Sequence, residues 1–286
     1  MATPAIAGGG RPVSHGRRFL LLWLAACVVV TPLVAIFLGS AIPPGNGSEQ
    51  ATSQVFDNTL MLALLTPATL LVVVFLVYVL VSFRSRTTEV VDGPPIRGDS
   101  RIQVSWIAIT SATVLFLAGF GTYELVQSGA GGGQGPDPAF QPPGHAKALD
   151  VQVIAQQWEF TYRYPAYGGV EVPHLVLPAN TLVRLDVTSL DAIHSFWAFE
   201  LGVKADANPG VDNVAYVTTK GPLTFDIHCA ELCGLWHGYM FDTGQVVDSG
   251  TFAGWIKKQR AYFAPVLKYL PPYAESYLPD PAKRAG

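Results

Sequence analysis

Three runs of this chain are long, apolar and free of charge through their centres: about Phe19–Leu38, Leu60–Phe83 and Ile102–Val126. A hydrocarbon core of roughly 30 Å is crossed by about 20 apolar residues in a helix, and backbone within it must satisfy its own hydrogen bonds. The three runs are therefore expected to be membrane helices. Pro67 interrupts the second, which is tolerable because neighbouring helices can satisfy the carbonyl it frees. Half of all residues are hydrophobic and only 14% are charged, the balance of a membrane-anchored protein with no nucleic-acid partner.

Charge placement sets the topology. Arg11, Arg17 and Arg18 precede the first run, and Arg84, Arg86, Arg97 and Arg101 lie between the second and third. The segment Ser40–Asn58 carries Glu49 and Asp57 but no Lys or Arg. Because basic residues stay on the cytoplasmic side, residues 1–18 and the Arg-rich loop are expected inside and the C-terminal half outside. Residues 19–127 then form a transmembrane region of two or three helices, at about 19–38, 60–83 and 102–126. The first run also has the shape of a secretory signal, and Leu24-Ala25-Ala26-Cys27 resembles a lipoprotein cleavage box. Because the apolar run continues well past Cys27, a retained helix is the expectation. Signal cleavage and lipidation at Cys27 are the alternatives.

Residues 128–147 are rich in Gly and Pro and cannot propagate a helix or strand, so they read as a linker. From 148 to 263 the pattern changes to short β-rich runs, around Val151, Leu182, Val214, Leu223 and Thr243, each bounded by Pro or Gly. Strands at this spacing indicate an antiparallel sandwich or barrel. Thr251–Phe263 reads as a short closing helix, and residues 264–286 as a Pro-rich tail. The segment from Ala146 to Gly250 holds twelve acidic and five basic residues, a net charge of −7. Such a surface favours association with a basic partner.

The chemistry is concentrated between Cys229 and Met240: Cys229-Ala-Glu231-Leu-Cys233-Gly-Leu-Trp-His237-Gly-Tyr-Met240, with His194 upstream. Thiolate and thioether are soft ligands, and imidazole suits copper as well. A mononuclear blue-copper site needs one Cys, two His and a weak Met, so the second Cys is one thiolate too many. Two thiolates can instead bridge two copper ions, leaving one His and one weaker ligand for each. A structural disulfide between Cys229 and Cys233 is the bland alternative in an oxidising compartment, but it leaves His237 and Met240 unexplained. His228, adjacent to Cys229 on a strand, is expected to point away and not to be a ligand, and His174 is expected at the surface.

This stretch resembles the CuA loop of cytochrome c oxidase subunit II. The likeness continues through Asp191-Ala-Ile-His194-Ser-Phe, Leu201-Gly-Val-Lys204-Ala-Asp206-Ala-Asn-Pro209-Gly210 and Ala155-Gln-Gln157-Trp158-Glu-Phe160-Thr-Tyr162, and covers roughly residues 55 to 260. It implies a membrane α-helical hairpin anchor plus an all-β, cupredoxin-like Greek-key barrel. It implies further that Cys229 and Cys233 bridge two copper ions, that His194, His237 and Met240 complete them, and that Glu231 contributes its backbone carbonyl. By the same resemblance the Glu231 carboxylate helps bind magnesium at the subunit I interface, and Trp158 is where electrons come in.

The implied function is subunit II of a respiratory oxidase. Such a subunit takes electrons from cytochrome c, or another small redox protein, and passes them to the haem of subunit I. Oxygen is reduced to water there, with proton translocation. Subunit I, and subunit III beside it, are the implied partners. The implied location is a bacterial plasma membrane, multi-pass, with the copper domain on the periplasmic or extracellular side. Two departures stand out: Glu159 and Phe160 occupy positions where the family often has Tyr and Trp, and Gln103 stands where a Glu often feeds a proton pathway. No C-x-x-C-H motif occurs in the chain, so a fused c-type haem is not expected. A quinol-oxidase subunit is disfavoured because that branch lacks the copper ligands. A CuA subunit of a nitric-oxide reductase and a membrane-tethered copper carrier remain as alternatives.

Overall fold

The computed structural model describes residues 14–39, 41–42, 45–84, 98–128, 133–134 and 141–270. Arg11, Arg86 and Arg97 of the charge pattern, most of the expected linker, and the tail beyond residue 270 lie outside the described residues. The first elements are three helices: α1 (His15–Leu38), α2 (Glu49–Ser82) and α3 (Ser100–Ser128). At about 1.5 Å per residue, their 24, 34 and 29 residues each exceed the thickness of a hydrocarbon core. Among the described residues they are the helices long and apolar enough to cross a membrane.

The helix ends are set by polar residues that the apolar runs do not reveal. Ser14 caps α1, its side chain accepting from the Arg17 amide, which is the usual way to satisfy an orphan donor of a first turn. Helix α2 begins at Glu49, well before the apolar run near Leu60. The Ser48 hydroxyl accepts from the Ala51 amide at 2.9 Å and donates to the Leu201 carbonyl at 2.6 Å. A run of apolar residues marks only what lipid would cover, whereas the cap decides where the helix starts.

The chain divides into two compact units. One holds α1 with α2 from Asn58 onward; the other holds the start of α2, α3 and everything after it. In the second unit the strands are β1 (Gly133–Gln134), β2 (Leu149–Gln156), β3 (Glu159–Tyr164), β4 (Val170–Val172), β5 (Val176–Pro178) and β6 (Leu182–Ser189). They continue with β7 (His194–Ala198), β8 (Val203–Ala207), β9 (Asn213–Thr218), β10 (Leu223–Cys229) and β11 (Phe241–Val247), before helix α4 (Ser249–Leu267). Among the described residues they form one sheet in the order β1-β9-β6-β2-β3-β4 and a second in the order β5-β11-β10-β7-β8. Pairing is antiparallel except for β2 with β6 and β5 with β11. The expected barrel is thus a two-sheet, cupredoxin-like sandwich.

Alternation builds the core. In β10, Phe225, Ile227 and Cys229 face inward while Thr224, Asp226 and His228 face solvent. The inward set meets Val151, Val153, Val183, Leu185, Val187, Phe196 and Val217 in one buried cluster. Fully burying one such side chain contributes about 1.5–3 kcal/mol. Phe252 and Ile256, one turn apart on α4, are buried against the same cluster. The helix runs beyond the expected Thr251–Phe263 at both ends. Strands β4, β5, β7 and β8 are short and lack a long β-branched run, so their conformation comes from cross-strand pairing more than from propensity. That pairing sets Cys229, the last residue of β10, opposite Phe196 of β7.

Candidate metal centre

Two strand ends and one turn create the site. The β7–β10 register places His194, two residues before Phe196, beside Cys229. The Ala230 amide donates to the Ser195 carbonyl at 2.9 Å, and the Cys229 amide to the Met240 carbonyl at 3.0 Å, stapling both ends of the intervening loop. Residues His237–Tyr239 form a 3-10 turn, closed by the Met240 amide donating to the His237 carbonyl at 3.2 Å. With three residues per turn, positions i and i+3 eclipse, so His237 and Met240 project to the same side.

The six candidate ligands converge on the two sulfurs. Cys229 Sγ lies 3.9 Å from His194 Nδ1 and 3.2 Å from the Glu231 carbonyl oxygen. Cys233 Sγ lies 3.6 Å from His237 Nδ1 and 3.8 Å from Met240 Sδ. The two sulfurs are 3.7 Å apart, against roughly 2.05 Å for a disulfide bond, so these are free thiols. Ligand atoms of His194, Cys229 and Cys233 all fall within 4.8 Å of one another. Metal–thiolate and metal–imidazole bonds are roughly 2.3 and 2.0–2.1 Å in comparable sites. Two such bonds span at most about 4.6 Å between sulfurs and about 4.4 Å between sulfur and nitrogen. The sulfur–sulfur distances of 3.7 and 3.8 Å and the sulfur–nitrogen distances of 3.9 and 3.6 Å fall inside those limits, and the soft donor set suits copper.

Burial and charge prepare the thiols. His194 and Met240 are almost fully enclosed, both cysteines are buried, and His237 is half-buried. Burial opposes ionisation at each thiol. At Cys229 the hydrogen bond with His194, and those with the backbone at Ser195 and Glu231, outweigh it and bring the thiol down to about 6. At Cys233 burial and the neighbouring Cys229 thiolate act together and push the thiol up to about 12. The metal-free pair thus releases one proton readily and holds the other, which metal binding must displace.

His194 is oriented by a residue that sequence reasoning did not single out. Its Nε2 lies 2.9 Å from Asp191 Oδ1, leaving Nδ1 toward Cys229. The other Asp191 oxygen accepts the Gln157 amide at 2.7 Å. Burial raises the Asp191 carboxyl, but the hydrogen bonds from His194, Gln157 and Ala192 prevail and hold it below its ordinary value. The only sequence signal was an acid three residues before a histidine. Trp158 sits at the β2–β3 turn, half-buried, with its indole N–H directed to the Cys233 carbonyl at 3.3 Å, beside the Gln157 amide group at 2.8 Å from the same oxygen. Gly234 makes this approach possible. It adopts φ +120, and a Cβ there would press on Gln157 and Trp158. His228 faces outward between the rings of Phe199 and Phe241. His174 is exposed and pairs with Asp242 at 2.6 Å.

Residues 170–247 match the sequence profile described as cytochrome c oxidase subunit II, periplasmic domain. Cytochrome c oxidase subunit 2 of Thermostichus vulcanus is 28% identical over an alignment that covers 87% of this chain and 89% of that protein. Its counterpart in Synechocystis is 29% identical, covering 74% of each. The crystal structure of the periplasmic domain of Bradyrhizobium japonicum subunit II (CoxB) is 30% identical. It covers 40% of this chain and 95% of that one, with a TM-score of 0.39. With its apolar helices, the chain is a membrane protein carrying a periplasmic domain and a copper-binding cluster of His and Cys. These are oxidase subunits, and neither the nitric-oxide-reductase nor the copper-carrier alternative is favoured. The two-sheet periplasmic domain, its thiolate–imidazole cluster and a likeness that runs through the helical region lead to one conclusion: the chain belongs to the cytochrome c oxidase subunit II family.

Proposed function

We propose that this chain is the electron-accepting subunit of a respiratory cytochrome c oxidase. His194, Cys229, Cys233, His237 and Met240, with the backbone carbonyl of Glu231, would hold two copper ions. The observation that carries this reading is the convergence of donors: two sulfurs 3.7 Å apart, with two imidazole nitrogens and two weaker donors each within 3.9 Å of one of them. When bound there, the copper would supply a one-electron carrier.

The chain's own residues keep that carrier rigid and dry. Asp191 holds the His194 ring, the 3-10 turn fixes His237 against Met240, and the β7–β10 staple prevents the loop from opening. A basic cytochrome c, attracted by the acidic surface, would dock on the Trp158 side and deliver its electron there. Electrons leave toward the haem of subunit I, where oxygen is reduced to water with proton translocation. Subunit III is a further partner. The exposed Glu231 carboxylate is free to help hold magnesium at the interface with subunit I. In this reading α1, α2 and α3 all cross a bacterial plasma membrane, the N-terminus is inside, and the copper domain is outside.

The test is copper content and electron paramagnetic resonance of the full chain purified from membranes. Two coppers per chain with a seven-line mixed-valence signal is the expected result. One copper with a four-line signal would overturn the proposal in favour of a mononuclear site.

A further inference from the structure

The unit formed by α1 and the later part of α2 has a tightly fitted seam. Trp23 donates its indole N–H to the Pro67 carbonyl at 2.9 Å. His15 Nδ1 meets the Tyr78 hydroxyl at 2.8 Å, and Phe19 sits edge-on to Phe75 at 5.8 Å between ring centres. At the opposite end a Cβ at Gly39 would collide with the Thr59 side chain. These contacts engage α1 along its length.

Beside the seam runs a groove of about 710 Å³. Arg18, Leu21 and Leu22 form one wall, and Val73, Val77 and Val81 the other. Positions three and four apart share a helix face, so each wall is a straight stripe. The walls are exposed Leu and Val, without the Gly or Ala that lets another helix approach closely in lipid. Arg18 lies at one end. Arg17, Arg18 and Arg84 are charged residues near that end, and the described residues of this unit include no Asp or Glu. An apolar trough with a cation at its mouth suits an amphiphile with an anionic head. Basic pockets between helices on the cytoplasmic side bind such headgroups.

We propose that this groove binds an anionic phospholipid of the inner leaflet, with an acyl chain along the Leu–Val walls and its phosphate at Arg18. The proposal rests on the membrane reading above, in which the start of α1 is cytoplasmic and α1 is retained. The test is native mass spectrometry of the full chain in mild detergent, with phosphatidylglycerol or phosphatidylcholine of matched acyl chains added. The wild type should retain phosphatidylglycerol at collision energies that strip phosphatidylcholine. Arg18→Gln should reduce that preference about fivefold, while Val77→Trp, which fills the trough and leaves the charge, should lose both lipids. Equal retention of the two lipids, or an unchanged preference in Arg18→Gln, would overturn the proposal. So would a photoreactive residue at Leu22 that links to a protein helix in the assembled oxidase. The intact mass reads the premise separately, because a chain lacking α1 would defeat the three-span reading whatever lipid is bound. The copper signal of each variant reports that the rest of the chain has folded.

Discussion

Replacing Asp191 with Asn tests whether the His194 ring is fixed from behind. The carboxylate only accepts: Oδ1 takes His194 Nε2 at 2.9 Å and the Ala192 amide at 2.6 Å, and Oδ2 takes the Gln157 amide at 2.7 Å. An Asn side chain has one acceptor and one donor end. Oriented one way, its NH₂ group confronts the Gln157 amide; flipped, it confronts His194 Nε2–H and Ala192. Each orientation leaves a donor unpaired, which costs about 1–3 kcal/mol where the group is buried. The Asp191 side chain is 36% exposed, so the lower end, about 1 kcal/mol of domain stability, is expected. The larger effect falls on the metal. Loss of an outer partner that sets tautomer and orientation typically lowers metal affinity roughly 10–100-fold. Competition titration against a copper chelator, alongside the resonance spectrum, should show two coppers still bound with affinity reduced by that factor. Wild-type affinity in Asp191→Asn would refute the argument, because His194 would then be held by packing alone.

Other consequences can be checked independently. Cys233→Ser removes one of two sulfurs 3.7 Å apart, so metal analysis should find at most one copper per chain and no seven-line signal. Tyr164→Phe strips the buried hydroxyl that donates to the Val176 carbonyl at 2.8 Å and accepts its amide at 3.0 Å. Urea unfolding should show a loss of about 2–3 kcal/mol, and a loss below about 0.5 kcal/mol would contradict it. Burial, opposed by Arg184 and reinforced by Asp150, pushes the Asp186 carboxyl up from 3.8 to about 7. Its folded value lies above the unfolded one, so its contribution is fully present below pH 3.8 and is lost as pH rises toward 7. At about 1.36 kcal/mol per pH unit, the loss is on the order of 4 kcal/mol. Asp186→Asn should flatten the stability profile over that window, and an unchanged slope would exclude it.

The parts legible in the sequence were those whose cause is local. Uncharged runs of bilayer length mark helices because lipid offers no partner to a charge or an open backbone. The metal loop could be read because five of the six candidate ligands fall within twelve consecutive residues, and ligand softness narrows the metal. The outward turn of His228 followed from strand alternation alone. Neither the start of α2 at Glu49 nor the strands β4, β5, β7 and β8 could be read this way, because a side-chain cap and cross-strand pairing determine them.

Tertiary structure decided which donors meet. Nothing in the spacing says that His194 comes within 3.9 Å of Cys229 or His237 within 3.6 Å of Cys233. The register that sets Cys229 opposite Phe196, together with the 3-10 turn at His237, brings them together. The roles of Asp191 and Gly234 likewise exist only across the fold, one supporting a ring from behind and the other clearing space for Trp158. Composition and periodicity act between near neighbours on the chain, whereas a bridged metal site depends on distances between strands. Those distances follow from how the buried faces of two sheets fit together.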